Sequence, residues 1–304
     1  MVILHQPDYY KIFMLWPVFC LWTSCATSPE PIPPDSWAPV EGPERGHLVI
    51  AGGGKLDGSG ILEKFVELAG GQKAEIVVIP TAGTDMYIAM GKRDGHLRRM
   101  FLNLGAAMVD VIHTRDRKEA DVPEFATPVM TATGVWFTGG RQWRLVDAYA
   151  NTETLEAIVN VLARGGVVGG SSAGATIQGS YLVRGDTSGN TIMMGDHEQG
   201  FSFLTNSAID QHLLRRNRQF DMFPVLQEQP HLLGIGLDEA TAVVVSENRF
   251  EVIGKSYVAL YNAAVNVEEF PMLTENDFRP FHLLRAGDKF DLTTRTLIEE
   301  RTPE

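Results

Sequence analysis

The chain has 304 residues, 44% of them hydrophobic and 21% charged, the proportions of an ordinary globular protein. Its 38 acidic against 26 basic residues give a formal charge of −12, which argues against nucleic acid or an anionic membrane surface as the main partner. Only Cys20 and Cys25 are present, both ahead of the globular part, so the folded domain has no disulfide, no thiolate nucleophile and no cysteine metal site; a nucleophile there must be a hydroxyl.

Lys11 precedes the apolar run Ile12 to Trp22, which is short for a membrane span and right for the apolar core of a signal peptide. The run ends Leu21-Trp22-Thr23-Ser24-Cys25, similar to a bacterial lipobox with Cys25 as the lipidated residue, although Trp22 holds a place usually taken by a small aliphatic side chain. Residues 1–25 are therefore expected to be a lipoprotein-type signal peptide. It would export the protein to the periplasm or the cell exterior and give it a membrane contact only through the lipid on Cys25. Residues 26–46 include the proline-rich stretch Ser28 to Pro43, which is expected to be an extended tether, and residues 47–304 suffice for one large domain.

From His47 the pattern is strand, helix, strand, helix. Leu48 to Ala51 runs into Gly52-Gly53-Gly54, Ala74 to Ile79 ends at Pro80, and Met108 to Ile112 ends at His113, with helical stretches expected at 60–70 and 86–104. Apolar strands alternating with amphipathic helices predict an α/β fold, a doubly wound and mostly parallel sheet with its functional groups at the strand carboxyl ends. The three glycines are not a dinucleotide fingerprint, because Leu56 and Asp57 stand where a further glycine is needed; a pocket wall is expected there.

Val135-Trp136-Phe137 is the next strand, running into Thr138-Gly139-Gly140-Arg141-Gln142 before a helix from Trp143 to Ala150. The paired glycines can bring a backbone N–H, that of Gly140, towards an oxyanion, and Gln142 can hydrogen-bond a substrate. A helix at 153–164 leads to Gly165–Gly179, a buried strand that breaks sharply into a helix. Gly170-Ser171-Ser172-Ala173-Gly174 fits the nucleophile elbow, in which a strained turn lifts a serine hydroxyl out of the sheet, and the N–H of Ala173 points where an oxyanion develops. A tight turn built from small residues has the same appearance, so the rest of the chain must decide.

A nucleophilic serine needs a base, and the base an orienting group. His212 stands out among the histidines because it lies in Ile209-Asp210-Gln211-His212-Leu213-Leu214-Arg215-Arg216-Asn217-Arg218. Either this is a solvated basic helix face, or its guanidinium forks read a carboxylate. Leu233 to Leu237 is a buried strand ending at Asp238-Glu239, and either acid is placed to orient an imidazole or to make a turn. His197, His231 and His282 are expected on the surface or in packing.

Four motifs in order, Gly139-Gly140-x-Gln142, Gly170-x-Ser172-Ala173-Gly174-Ala175, Asp210-Gln211-His212 with its arginines, and Gly234-Ile235-Gly236-x-Asp238-Glu239, resemble the cyanophycinase family of serine peptidases, S51, which includes aspartyl dipeptidases. The resemblance covers about Leu48 to Asn262. It implies a fold similar to class I glutamine amidotransferases, with Ser172 as nucleophile, His212 as general base and acid, and Glu239 as the orienting carboxylate. It also implies that Gln142, Asp210, Gln211, Arg216 and Arg218 form a pocket for an aspartyl or β-aspartyl unit, with neither metal nor cofactor. A homodimer is left open. Two departures stand out: Arg141 replaces an acid or amide, and Phe220-Asp221 replaces a glycine and an arginine, reversing a charge expected to help bind a polymeric substrate.

Two rivals use the same residues. An α/β-hydrolase esterase would pair Ser172 with His282 after an acid at 238 or 239, but it usually carries a histidine-and-glycine oxyanion motif that does not precede this elbow. A binding lipoprotein that has lost turnover would not require a serine, histidine and acid together. The last part of the chain, from Val243, reads as β-hairpins closing one side of the sheet, with a final hairpin beginning at Gly287-Asp288.

Overall fold

The computed structural model describes residues 37–262 and 281–298. The apolar run, Cys25 and the first part of the proline-rich stretch lie outside the described residues. No helix among the described residues is long and apolar enough to cross a membrane.

Strands β1 (His47–Ala51), β2 (Glu75–Ile79), β3 (Met108–Val111), β4 (Gly134–Phe137) and β5 (Val167–Ser171) form the parallel half of a sheet in the order β1-β5-β4-β2-β3. Each is short and nearly all apolar because both faces are covered. Side chains alternate between those faces, so Leu48, Ile50, Val77, Ile79, Val135 and Val168 enter one cluster while Val49, Ala51, Ile76, Val78, Trp136 and Val167 enter the other. The helices α1 (Ile61–Leu68), α2 (Asp85–Asp94), α3 (His96–Leu102), α4 (Arg117–Ala120), α5 (Pro123–Thr131), α6 (Trp143–Tyr149) and α7 (Glu153–Ala163) connect these strands.

On one face Phe65 of α1 packs edge-on to Trp136 at 4.9 Å and meets Phe101 of α3 at 5.2 Å. On the other, α5 and α7 bring in Ala126, Val129, Ile158 and Val161. Each such large apolar side chain removed from water stabilises the fold by roughly 1.5–3 kcal/mol. The single helix expected at 86–104 is two, because Gly95 stops α2 in the left-handed region at φ 72° and restarts the chain as α3. Thr152, whose hydroxyl accepts from Leu155 N–H, caps α7.

The remaining strands do not all join that sheet. β9 (Thr241–Ser246) lies antiparallel to β1, and β10 (Arg249–Gly254), β13 (Lys289–Asp291) and β14 (Thr296–Ile298) extend that edge. A second sheet has the order β12-β11-β8-β7-β6, built from β6 (Gly179–Tyr181), β7 (Leu204–Gln211), β8 (Leu233–Leu237), β11 (Tyr257–Tyr261) and β12 (His282–Arg285). Between the strands run α8 (Ala173–Thr176) and α9 (Met222–Glu228). The expected single sheet closed by hairpins is thus two sheets. β8 and β9 follow one another in sequence yet belong to different sheets, and the turn between them carries Asp238, Glu239 and Ala240.

The segment expected to be a tether up to residue 46 is not one from residue 37 onward. Val40 is fully buried, Ala38 N–H donates to His231 O, and Glu41 N–H donates to the Thr205 hydroxyl. Arg295, itself buried, reaches the carbonyls of Ala38, His231, Leu232 and Asn262 and lies 5.3 Å over the Trp37 ring. Prolines prevent helix or sheet in this segment, but Trp37 still lies under Arg295 and Val40 joins the main hydrophobic cluster.

Candidate active site

The site lies at the carboxyl ends of β1, β4 and β5, where β7 and the β8–β9 turn of the other sheet meet them. At the end of β5 the chain reverses so tightly into α8 that a Cβ on Gly174 would stand 2.2 Å from Phe137 O, and only glycine permits that approach. Ser172 occupies the corner at φ 56°, ψ −114°, a conformation that a non-glycine residue holds only when its surroundings impose it. Its N–H is fixed on Ala51 O at 3.0 Å.

His212 follows the last residue of β7. The stretch expected as a basic helix face or a carboxylate site begins instead as a strand, Leu204–Gln211, and turns at His212, which stands at φ 54° with its N–H on Gly52 O. Its Nε2 is 2.9 Å from Ser172 Oγ, and its Nδ1 is 2.7 Å from Glu239 Oε1. The choice between the two acids after β8 is decided by the turn. Asp238 accepts from Arg215 N–H and from the Ser256 hydroxyl, so it ties loops together, while Glu239 takes the imidazole.

His212 is only 7% exposed, and burial is the main reason its pKa is depressed below the ordinary 6.5. Arg216 and Arg218 push in the same direction; the hydrogen bond and charge of Glu239 oppose them. The net direction favours the neutral imidazole, whose two ring nitrogens face Ser172 and Glu239. Gly53 forms the roof. A Cβ there would lie 2.6 Å from His212 Cε1 and 3.1 Å from Ser172 Cβ, so the glycine run after β1 packs directly on both side chains.

Ala173 is the first residue of α8, where helix N–H groups have no partner within the helix. Gly139 borders Ser172 on the β4 side; a Cβ built on it would lie 3.6 Å from Ser172 Oγ. Gly140, next along, bends away at φ 147° with its own Cβ position 2.0 Å from Ala82 O, so the peptide joining Gly139 and Gly140 borders the serine.

The other residues expected to touch substrate are divided. Gln142 is buried and its Nε2 donates to Val183 O; Gln211 is buried and receives Arg218 Nη1 on both its backbone and side-chain oxygens, at 2.9 and 3.0 Å. Arg216 is exposed beside His212. Asp210 is 1% exposed, and both its carboxylate oxygens are taken by Arg184, at 2.8 and 2.9 Å.

Arg184 is the residue that sequence reasoning missed. It follows Tyr181-Leu182-Val183, an apolar run that gives no reason to place a cation in a site, and only the parallel pairing of β6 with β7 brings it beside Asp210. It also holds Asp221 Oδ2 at 2.5 Å, so the charge reversed at position 221 is answered locally rather than left in the pocket. His282 lies on the edge strand β12, in register with Leu260, and the imidazole that Ser172 meets is His212. His197 lies between Asp147 and Asp196, 2.9 Å from each, on the outer loops. No group of three His, Cys, Asp or Glu side chains that could hold a metal ion occurs among the described residues.

The model of peptidase family S51 matches residues 48–253. The chain is 31% identical over 264 residues to a cyanophycinase of Trichormus variabilis, covering 83% of this chain and 87% of that protein. It is equally similar, at 31% over 264 residues, to a cyanophycinase of Geminocystis herdmanii, covering 82% and 95%. The crystal structure of a peptidase from an acI-B1 actinobacterium superposes with a TM-score of 0.62 at 24% identity, over 83% of this chain and 98% of that one, which speaks to the fold.

Proposed function

The chain belongs to peptidase family S51 and is a peptidase, and we propose that it hydrolyses aspartyl or β-aspartyl peptides through Ser172, His212 and Glu239 by way of an acyl-enzyme. The observation that carries this is the continuous chain of short contacts, 2.9 Å from Ser172 Oγ to His212 Nε2 and 2.7 Å from His212 Nδ1 to Glu239 Oε1. Ser172 Oγ attacks the scissile carbonyl while His212 Nε2 takes the hydroxyl proton, and Glu239 keeps Nδ1 protonated and steadies the imidazolium. The N–H groups of Gly140 and Ala173 receive the oxyanion. His212 then protonates the leaving amine, the C–N bond breaks, and a water deprotonated by His212 opens the Ser172 ester to release the acid and restore the serine.

The aspartyl substrate is supported by the relatives' name and by cations beside the histidine: Arg216 exposed and Arg218 held on Gln211. Export and lipidation at Cys25 remain part of the proposal on the strength of residues 12–25.

Mass spectrometry of the products from the native domain and Ser172→Ala, given insoluble cyanophycin and a panel of α- and β-linked aspartyl dipeptides, tests the substrate. Release of β-aspartyl-arginine by the native protein alone supports a cyanophycinase; cleavage of small dipeptides alone makes it an aspartyl dipeptidase. Absence of cleavage of every member by a folded protein overturns the proposal. Mass spectrometry of the full chain from membrane fractions, looking for a diacylglyceryl Cys25 as the new N-terminus, tests the anchor.

A further inference from the structure

Beside His212 runs an alternating row of charges: Asp221, Arg184, Asp210 and Arg218. Arg184 is 1% exposed and stands at φ 57°, and its guanidinium forks onto Asp210 from Nε and Nη2, reaches Asp221 from Nη2, and donates to Asn190 O from Nη1. Arg218 Nη1 is 3.7 Å from Asp210 Oδ1, too long for a hydrogen bond, while it donates at 2.9 and 3.0 Å to Gln211. Asp221 is the open end of the row, with a side chain 39% exposed.

Arg218 and Asp210 already form a loose ion pair at 3.7 Å; without Arg184 the Asp210 carboxylate would lose its main partner, and a small shift would tighten that pair into a hydrogen-bonded one that draws Arg218 off Gln211. A guanidinium whose charge is neutralised by a close carboxylate has little attraction left for an anionic ligand, whereas one held on a neutral amide keeps its charge. We propose that Arg184 is a specificity-determining positioning residue, which occupies Asp210 and Asp221 so that Arg218 stays on the neutral Gln211, only loosely paired with Asp210, and its charge and that of Arg216 remain for an anionic group of the substrate. This deepens the aspartyl-peptide proposal and rests on it. The positive φ supports such a role, because a non-glycine residue is held there only when its side chain or neighbours require that direction.

Kinetics on a matched pair of substrates tests this: an aspartyl peptide and the same peptide with its free carboxylate converted to the amide. Absence of any preference for the acid in the native enzyme sinks the aspartyl reading itself, before a variant is made. Given that preference, Arg184→Met is expected to raise KM for the acid about tenfold or more, with kcat and the KM of the amide changing less than about threefold, and Arg184→Lys is expected to recover part of the loss. Asp221→Asn removes a half-exposed carboxylate, leaves the fork on Asp210 intact and is expected to lower KM for the acid about twofold. Equal changes with acid and amide, or a fall in kcat at unchanged KM, would show a purely structural role. Should Arg184→Met not fold, Asp221→Asn decides alone, since an unchanged or raised KM for the acid overturns the proposal.

Discussion

Ser172 and His212 meet at 2.9 Å although each stands at a positive φ, 56° and 54°, and neither is a glycine. Two residues in sparsely populated backbone conformations, at the ends of strands in two different sheets, point their side chains at one another. The strain belongs to the aim of the side chains.

Relief of that strain should be measurable at the serine. Both Ser172→Ala and Ser172→Gly should lose at least about four orders of magnitude in kcat/KM. Ser172→Gly should also unfold at a higher temperature than Ser172→Ala, with a stability gain of about 1 kcal/mol, because glycine takes this φ without cost. Equal melting temperatures would mean that the corner is relaxed.

The two acids after β8 should separate cleanly. Glu239→Gln should keep its stability within about 0.5 kcal/mol and lose about a hundredfold to ten-thousandfold in kcat, because the imidazole loses its tautomer and orientation. Asp238→Asn, which weakens the ties to Arg215 N–H and Ser256, should cost about 1–2 kcal/mol in urea unfolding and keep most of its turnover. The opposite pattern would reassign the orienting acid.

The acid limb of the kcat/KM profile should lie below pH 6.5, since the base works as neutral imidazole and burial, with Arg216 and Arg218, lowers the His212 pKa. Glu239 acts against that shift, so in Glu239→Gln the limb should move to still lower pH even as the rate falls. A limb moving upward in that variant would contradict the assigned electrostatics.

Gly53 should tolerate no side chain. In Gly53→Ala the new methyl would sit 2.6 Å from His212 Cε1, and the displaced ring should cost about a hundredfold in kcat with the circular dichroism spectrum unchanged. Activity near that of the native protein would mean that the pocket wall gives way.

The segment before β1 should contribute to stability. A domain begun at His47 lacks Trp37 and buried Val40 and strands Arg295 without the Ala38 carbonyl, so it should be about 2 kcal/mol or more less stable than one begun at Pro31 in urea titration. Coincident curves would restore the picture of a loose tether.

Local chemistry made part of this legible in advance. The alternation of apolar strands with helices requires a sheet covered on both faces, and the small residues around Ser172 permit a turn that larger side chains forbid. His212 stands out by its polar and basic neighbours, whereas Glu239 is named over Asp238 only through the family resemblance. The choice between Asp238 and Glu239 is open to residue chemistry alone, and nothing in the polar run around Asp210 marks Arg184 as the partner of its carboxylate.

By itself, then, the sequence determined the strand–helix alternation, the elbow and the residue types able to do acyl transfer, since these depend on neighbours within a few positions. Only the tertiary structure decided that β8 and β9 part into different sheets, that residues 37–46 pack instead of trailing, and that Arg184 answers Asp210 and Asp221. Arg184 and Asp210 are 26 positions apart and Arg295 and Ala38 are 257 apart. At such separations a charge has many candidate partners along the chain, and strand pairing and burial select one of them.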